Sequence, residues 1–159
     1  MTYFHEEQRF GWWIWVVIAV IAIPVFVTTF AIAGRDPAAV VPLLFGPLVI
    51  IVIGMLFALA RLVTDVDERG ISVAFHMLWP PRHIPLDDVN RAHAMTYNPL
   101  SYGGWGVHYL LFRGWSFDAG GGHGVLIETK SGPRIMIGSH RAAELEAAID
   151  KAIAEHARR

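Results

Sequence analysis

Two long apolar stretches dominate the first third of the chain. No residue from Gly11 to Gly34 is charged, and none from Pro37 to Ala60; only Arg35 and Asp36 separate the two runs. Each run has 24 residues. As helix, that length covers about 36 Å, more than the roughly 30 Å of a bilayer's hydrocarbon core. The pattern predicts a two-span transmembrane hairpin over residues 1–61, joined through the short link GRDP. Pro24, Pro42 and Pro47 each remove a backbone donor and predict kinks, which neighbouring helices tolerate in a membrane.

After Arg61 the periodicity changes. In ISVAFHML, Ile71, Val73, Phe75 and Met77 alternate with smaller or polar residues, the period of two that marks a half-buried strand. WPPRH should break that strand, because Pro80 and Pro81 cannot donate to a ladder. RHIPL and RAHAMTY read as short strands around an acidic corner at Asp87 and Asp88. VHYLLF and the region of Trp115 and Phe117 read as another. GVLIETK and PRIMIGS flank Ser131 and Gly132 as a hairpin. The tail switches to helical spacing, with Leu145, Ile149 and Ile153 on one face, Ala148 and Ala152 beside them, and Ser139 as the expected N-cap. Residues 62–159 are therefore expected to form an α+β soluble domain. It would be a bent antiparallel sheet or partly open barrel of about seven strands, capped by the C-terminal helix.

Composition sharpens the membrane reading. The chain is 54% hydrophobic, with a mean hydropathy of +0.42. Trp12, Trp13 and Trp15 stand with Tyr3, Phe4 and Phe10 at the head of the first run, as an interfacial aromatic belt does. AIAG, Ala31–Gly34, has the shape of a signal-peptidase site. The preceding segment carries Glu6 and Glu7 against Arg9, however, and the apolar run is longer than a cleaved signal needs, so a retained span is expected. Arg9, Arg61, Arg69 and Arg82 outnumber Arg35 across the link, which places both termini in the cytoplasm. No ionisable side chain lies inside either run, so an ion or proton path has no carriers there.

Charge and motif inventory exclude more than they assign. From Arg61 to Arg159 there are eleven Lys and Arg against eleven Asp and Glu, so the basic surface that nucleic-acid or phosphoinositide binding normally needs is not expected. The absence of cysteine removes disulfides, thiolate catalysis and cysteine metal sites. Eight histidines form no HxH or HExxH pattern, no cofactor motif occurs, and no GxSxG supplies a nucleophile. Two glycine clusters, GGWG at 103–106 and GGGHG at 120–124, lead into β-type runs, whereas a phosphate loop leads into a helix. Turns needing positive φ are the expected role, with an anion-binding nest as the alternative.

The stretches YFHEEQRF, TDVDERGI, IPLDDV, YGGWGV and IMIGSHRAAELEAAI resemble an uncharacterised family of small bacterial membrane proteins. That family has two N-terminal transmembrane helices and a pleckstrin-homology-like domain. The resemblance implies a strongly bent seven-strand sheet with a capping helix, residence in the bacterial inner membrane, and no established activity. Related domains commonly carry arginine where this chain has His108. If that position meets an anion, His108 would do so only when protonated.

The expected function is thus a membrane-anchored, cytoplasm-facing interaction or scaffold module, integral to the lipid bilayer. Its partner would be a membrane or cytoplasmic protein, or a second copy. Trp105, His108 and Arg113 are the candidate contact residues. A metal- or anion-binding sensor or enzyme around His108 and His123 is the first alternative, and an accessory subunit of a transporter the second. Trp79, Trp105 and Trp115 are either core residues or exposed anchors.

Overall fold

The computed structural model describes residues 2–35 and 40–158. Asp36 and Pro37 of the expected link lie outside them. The chain divides into two compact units: Phe10–Leu59, and a second made of Met1–Arg9 with Ala60–Arg159.

The first unit is helical. Helix α1 (Trp13–Ala33) is followed by the short α2 (Val40–Leu43) and by α3 (Phe45–Leu59). Among the described residues only α1 is long and apolar enough to cross a membrane. This corrects the two-span expectation. The second apolar run is interrupted at Leu44, and α3 alone, at 15 residues, reaches about 22 Å. Pro47 explains the break, since it has no N–H to offer the carbonyl four residues earlier. Within the unit, α1 and α3 pack closely where Gly46 meets Val25, whose Cγ1 would stand 3.2 Å from an added Cβ. Phe10 and Phe57 meet edge to face at 5.0 Å. Trp12 and Trp15 are exposed at the head of α1 and Trp13 is half-buried. Val20, Ile23 and Phe30 of α1, and Leu48, Ile51 and Met55 of α3, also face outward.

The second unit holds two sheets. Strands β1 (Thr2–Arg9), β2 (Arg61–Asp67), β3 (Gly70–His76) and β4 (Trp79–Pro85) form an antiparallel sheet in that order. Strands β5 (Val89–Thr96), β6 (Gly106–Leu110), β7 (Gly114–Asp118), β8 (His123–Thr129) and β9 (Ile135–Gly138) form the other, ordered β5-β8-β9-β7-β6. Its pairs are antiparallel except β7 with β9, which are parallel. Helix α4 (Ala142–His156) packs on β5, β1, β8 and β2. Leu145 and Ile149 of α4 are fully buried with Phe75, Phe117, Ile127 and Ile137, so the apolar stripe read from the tail is the one that closes the core.

Several expectations change. Among the described residues there are nine strands in two sheets where about seven in one bent sheet were expected. Residues 2–9, assigned to the interfacial end of the hairpin, are instead an edge strand belonging to the sheet unit: Arg9 pairs with Arg61 and Gln8 with Leu62. The strand through ISVAFH ends one residue early, because Met77 takes a left-handed turn at φ 70 and leaves the buried face. Pro80 and Pro81 do not end a strand but sit in β4, an edge strand with an irregularity opposite β3, where a missing donor is tolerated. The N-cap of α4 is Arg141. Ser139 acts two residues earlier, its Oγ accepting from the Arg141 N–H at 2.9 Å and donating to Glu6 Oε2 at 2.5 Å. Asp87 and Asp88 do fall in a short 3-10 turn, Leu86–Asp88.

Candidate functional site

The GGWG segment closes a small aromatic platform. A short 3-10 turn, Pro99–Tyr102, is capped by Asn98, whose side chain accepts from the Leu100 N–H at 3.1 Å. Gly103, Gly104 and Gly106 then take φ of 93, 100 and 113, conformations that only glycine adopts cheaply. The turn folds back over the His108 ring so closely that a Cβ on Gly103 would come within 3.0 Å of His108 Cγ. The glycines therefore bend the chain from a 3-10 turn into strand β6. They do not open a helix.

Tyr102 is the centre of the platform. It packs with Tyr97 and Met136, with Leu110 alongside, and meets the Tyr97 ring edge to face at 5.3 Å. The Arg113 guanidinium lies 5.0 Å from the Tyr102 ring centroid, within cation–π range. Trp105 stands at the head of β6 and is 37% exposed. His108 is half-buried in mid-strand, and its Nδ1 has no protein hydrogen-bond partner. The structure thus gathers the three proposed contact residues along one edge strand and the turns at its two ends.

His123 is elsewhere. It begins β8, which β9 and β7 separate from β6, a lateral gap of roughly 14 Å at ordinary strand spacing. Its Nδ1 lies 3.1 Å from Thr96 Oγ1, beside His140 in an open hollow lined also by Ala142 and Ala143. A sensor or enzyme built on His108 and His123 together has no shared geometry. Three further histidines each face one carboxylate, His5 with Asp65 at 2.6 Å, His156 with Asp87 at 2.9 Å, and His93 with Glu146 at 3.5 Å, and His83 lies 3.0 Å from Ser72 Oγ. Among the described residues no three potential ligands gather in one place.

Two features had no clear sequence signal. The first is a polar interior. Glu6 and Gln8 point inward from β1 and are buried. Glu6 accepts from Ser139 Oγ and from the His140 N–H at 3.1 Å, and Gln8 donates to the Gly138 carbonyl at 2.9 Å. Beyond Gly138 lie Asp118 and Tyr97: a Cβ there would stand 2.9 Å from Asp118 Oδ1 and 3.1 Å from the Tyr97 hydroxyl. Burial first, and the neighbouring Asp118 carboxylate second, hold the Tyr97 phenol far above its ordinary range. The second feature is an apolar rim. Trp79, Trp115 and Tyr109 form an aromatic ladder, with centroids 5.9 and 5.2 Å apart, and Arg82 lies over Trp115 at 5.0 Å. Of the three tryptophans in question, Trp79 is 45% exposed and Trp115 half-buried. None of the three is a fully buried core residue.

No protein-family model, curated protein or solved structure matches this chain.

Proposed function

We propose that the chain is a membrane-anchored interaction module, held by its helical unit in the bacterial inner membrane with the sheet unit on the cytoplasmic side. The observation that carries this reading is the pairing of Arg9 with Arg61 across β1 and β2. The apolar helices are inserted between two hydrogen-bonded neighbours of one sheet. Only Phe10–Trp12 and Ala60 connect α1 and α3 to those strands. An anchor so tied keeps the sheet at the bilayer surface and raises its effective concentration for membrane partners.

The same pairing argues against a cleaved signal. Removal of α1 would take β1 with it, and with β1 the Glu6 and Gln8 bonds to residues 138–140. The excess of Arg9, Arg61, Arg69 and Arg82 over Arg35 supports the cytoplasmic side. A pleckstrin-homology-like plan for the sheet unit draws support from its two sheets and closing C-terminal helix, and the parallel β7–β9 pair is a departure from it. The partner is a protein, either a second copy or a membrane neighbour, contacted along the edge strand β6 through Trp105, His108 and Arg113. An exposed aromatic at one end of an edge strand and a stacked arginine at the other suit protein recognition better than catalysis.

A photo-crosslinking amino acid at Trp105 or at Arg113, in the full chain in its native membrane, should give a discrete protein adduct. The same group at Arg69, in the β2–β3 turn, should give none. Equal, diffuse labelling at all three positions would sink the reading.

A further inference from the structure

The row of paired residues Arg9, Arg61 and His76 runs across the end of the first sheet. Both points where the chain leaves for the helices lie on it. The next residues after His76 are the β3–β4 turn, Met77 and Leu78, followed by Trp79 opposite Phe75. In the second sheet, Tyr109 pairs with Trp115 and Leu110 with Gly114, so Leu111, Phe112 and Arg113 form the hairpin tip just beyond. The Trp79–Trp115–Tyr109 ladder joins the two turns. One rim of the unit therefore carries both chain exits and both turns.

That rim is apolar where a water-facing turn should be polar. Phe112 is 93% exposed, Leu111 78% and Met77 63%, beside the half-exposed Trp79. No acidic residue occurs from His76 to Arg82 or from Tyr109 to Trp115, whereas Arg82 and Arg113 do, and Arg9 and Arg61 end the neighbouring strands. Glu7 answers Arg61 at 2.8 Å. Apolar and aromatic tips flanked by arginine are complementary to a lipid surface, with acyl chains below and anionic headgroups around.

We propose that this rim, through Met77, Trp79, Leu111 and Phe112, inserts into the headgroup–acyl boundary of the bilayer in which the helices are anchored. The proposal rests on the anchoring reading above. The occupant is lipid because the chain exits leave the rim no room to move far from the bilayer: three residues on one side and one on the other join it to the helices. Insertion would fix the orientation of the sheet unit on the membrane and so fix which side β6 presents to a partner.

The absence of cysteine permits a direct test in the whole protein. Single variants Phe112→Cys, Met77→Cys, Arg69→Cys and Ile21→Cys would each carry an environment-sensitive fluorophore. They would be reconstituted in phosphatidylcholine–phosphatidylglycerol vesicles with ordinary or brominated acyl chains. The expected result is quenching by bromine at 112, 77 and 21 and none at 69, which lies at the far end of β2 and β3. Quenching at 21 alone overturns the rim insertion and leaves the anchor standing. A blue-shifted but unquenched label at 112 marks a protein cover and also overturns it. An unquenched label at 21 removes the anchor, and the proposal falls with it.

Discussion

Gly114 opens β7 at φ 82, and a Cβ there would collide with the Arg134 backbone carbonyl. That carbonyl already accepts from the Trp115 N–H at 2.9 Å. The chain approaches itself too closely at this point for any side chain, and strain of this kind costs about 1–3 kcal/mol before any shift of neighbours. Gly114→Ala should therefore lower the unfolding free energy of the sheet unit by at least about 2 kcal/mol, read by tryptophan fluorescence during denaturation in detergent. Tyr97 predicts a different outcome. Its hydroxyl is buried against the Asp118 carboxylate, without a bond of full geometry, so Tyr97→Phe should change stability near pH 7 by no more than about 1.5 kcal/mol. The pH dependence has a definite sign. The folded phenol keeps its proton well above pH 10, whereas the unfolded one loses it near pH 10. The unfolded state then binds fewer protons, and stability falls as pH rises past that point. Stability curves of wild type and Tyr97→Phe should diverge above about pH 10, the variant losing less. Parallel curves would show that Tyr97 ionises freely in the fold.

Strand β1 and helix α4 are mutually dependent elements. Glu6 satisfies Ser139 Oγ and the His140 N–H, and Tyr3 donates to Glu155 Oε2 at 2.5 Å near the helix's other end. Removing the Glu6 carboxylate strands two donors in a buried place, so Glu6→Ala should cost on the order of 3 kcal/mol. Hydrogen exchange should show the loss first at residues 139–145, before β2 and β3 are affected. Uniform loss of protection would mean that β1 stabilises the whole unit and not the helix start. These same residues show what sequence could reveal. The stripe Leu145–Ile149–Ile153 is legible because a helix packed on strands needs one apolar face, and α4 has it. The alternation Ile71, Val73, Phe75 is legible for the matching reason in strands. β1 is not, because its inward positions Phe4, Glu6 and Gln8 are two-thirds polar and their bonds lie more than 100 residues away in sequence. β2 hides likewise, with Thr64 buried between Leu62 and Val66. Periodicity records which positions are apolar. It cannot record a carboxylate buried against a distant backbone. The turn into β6 is legible in GGWG because its glycines mark a positive-φ bend, which sets Trp105 and His108 next to it. Phe112 carries no signal in the sequence, because exposure, and not its residue type, is what singles it out.

At the scale of the whole molecule, the interleaving of sheet and helices constrains topology. β1 and the strands after Ala60 belong to one unit, so residues before and after the helices must lie on the same side of any membrane the chain enters. If α1 crosses, its far end at Arg35 is on the opposite side, and residues 40–59 must return. α3 alone falls short of a hydrocarbon core. Three single-cysteine variants of the cysteine-free chain decide the matter: Thr2→Cys, Lys130→Cys and Arg35→Cys, probed with a membrane-impermeant maleimide. In vesicles with the cytoplasmic face outward, positions 2 and 130 should label and 35 should stay protected until the membrane is dissolved. With the orientation reversed, only 35 should label. Should 35 label together with 2 and 130, the helical unit would be lying in one leaflet as a re-entrant wedge, and α1 would not cross despite its length. Opposite labelling of 2 and 130 would be more severe: it would break the Arg9–Arg61 pairing on which the single sheet unit depends.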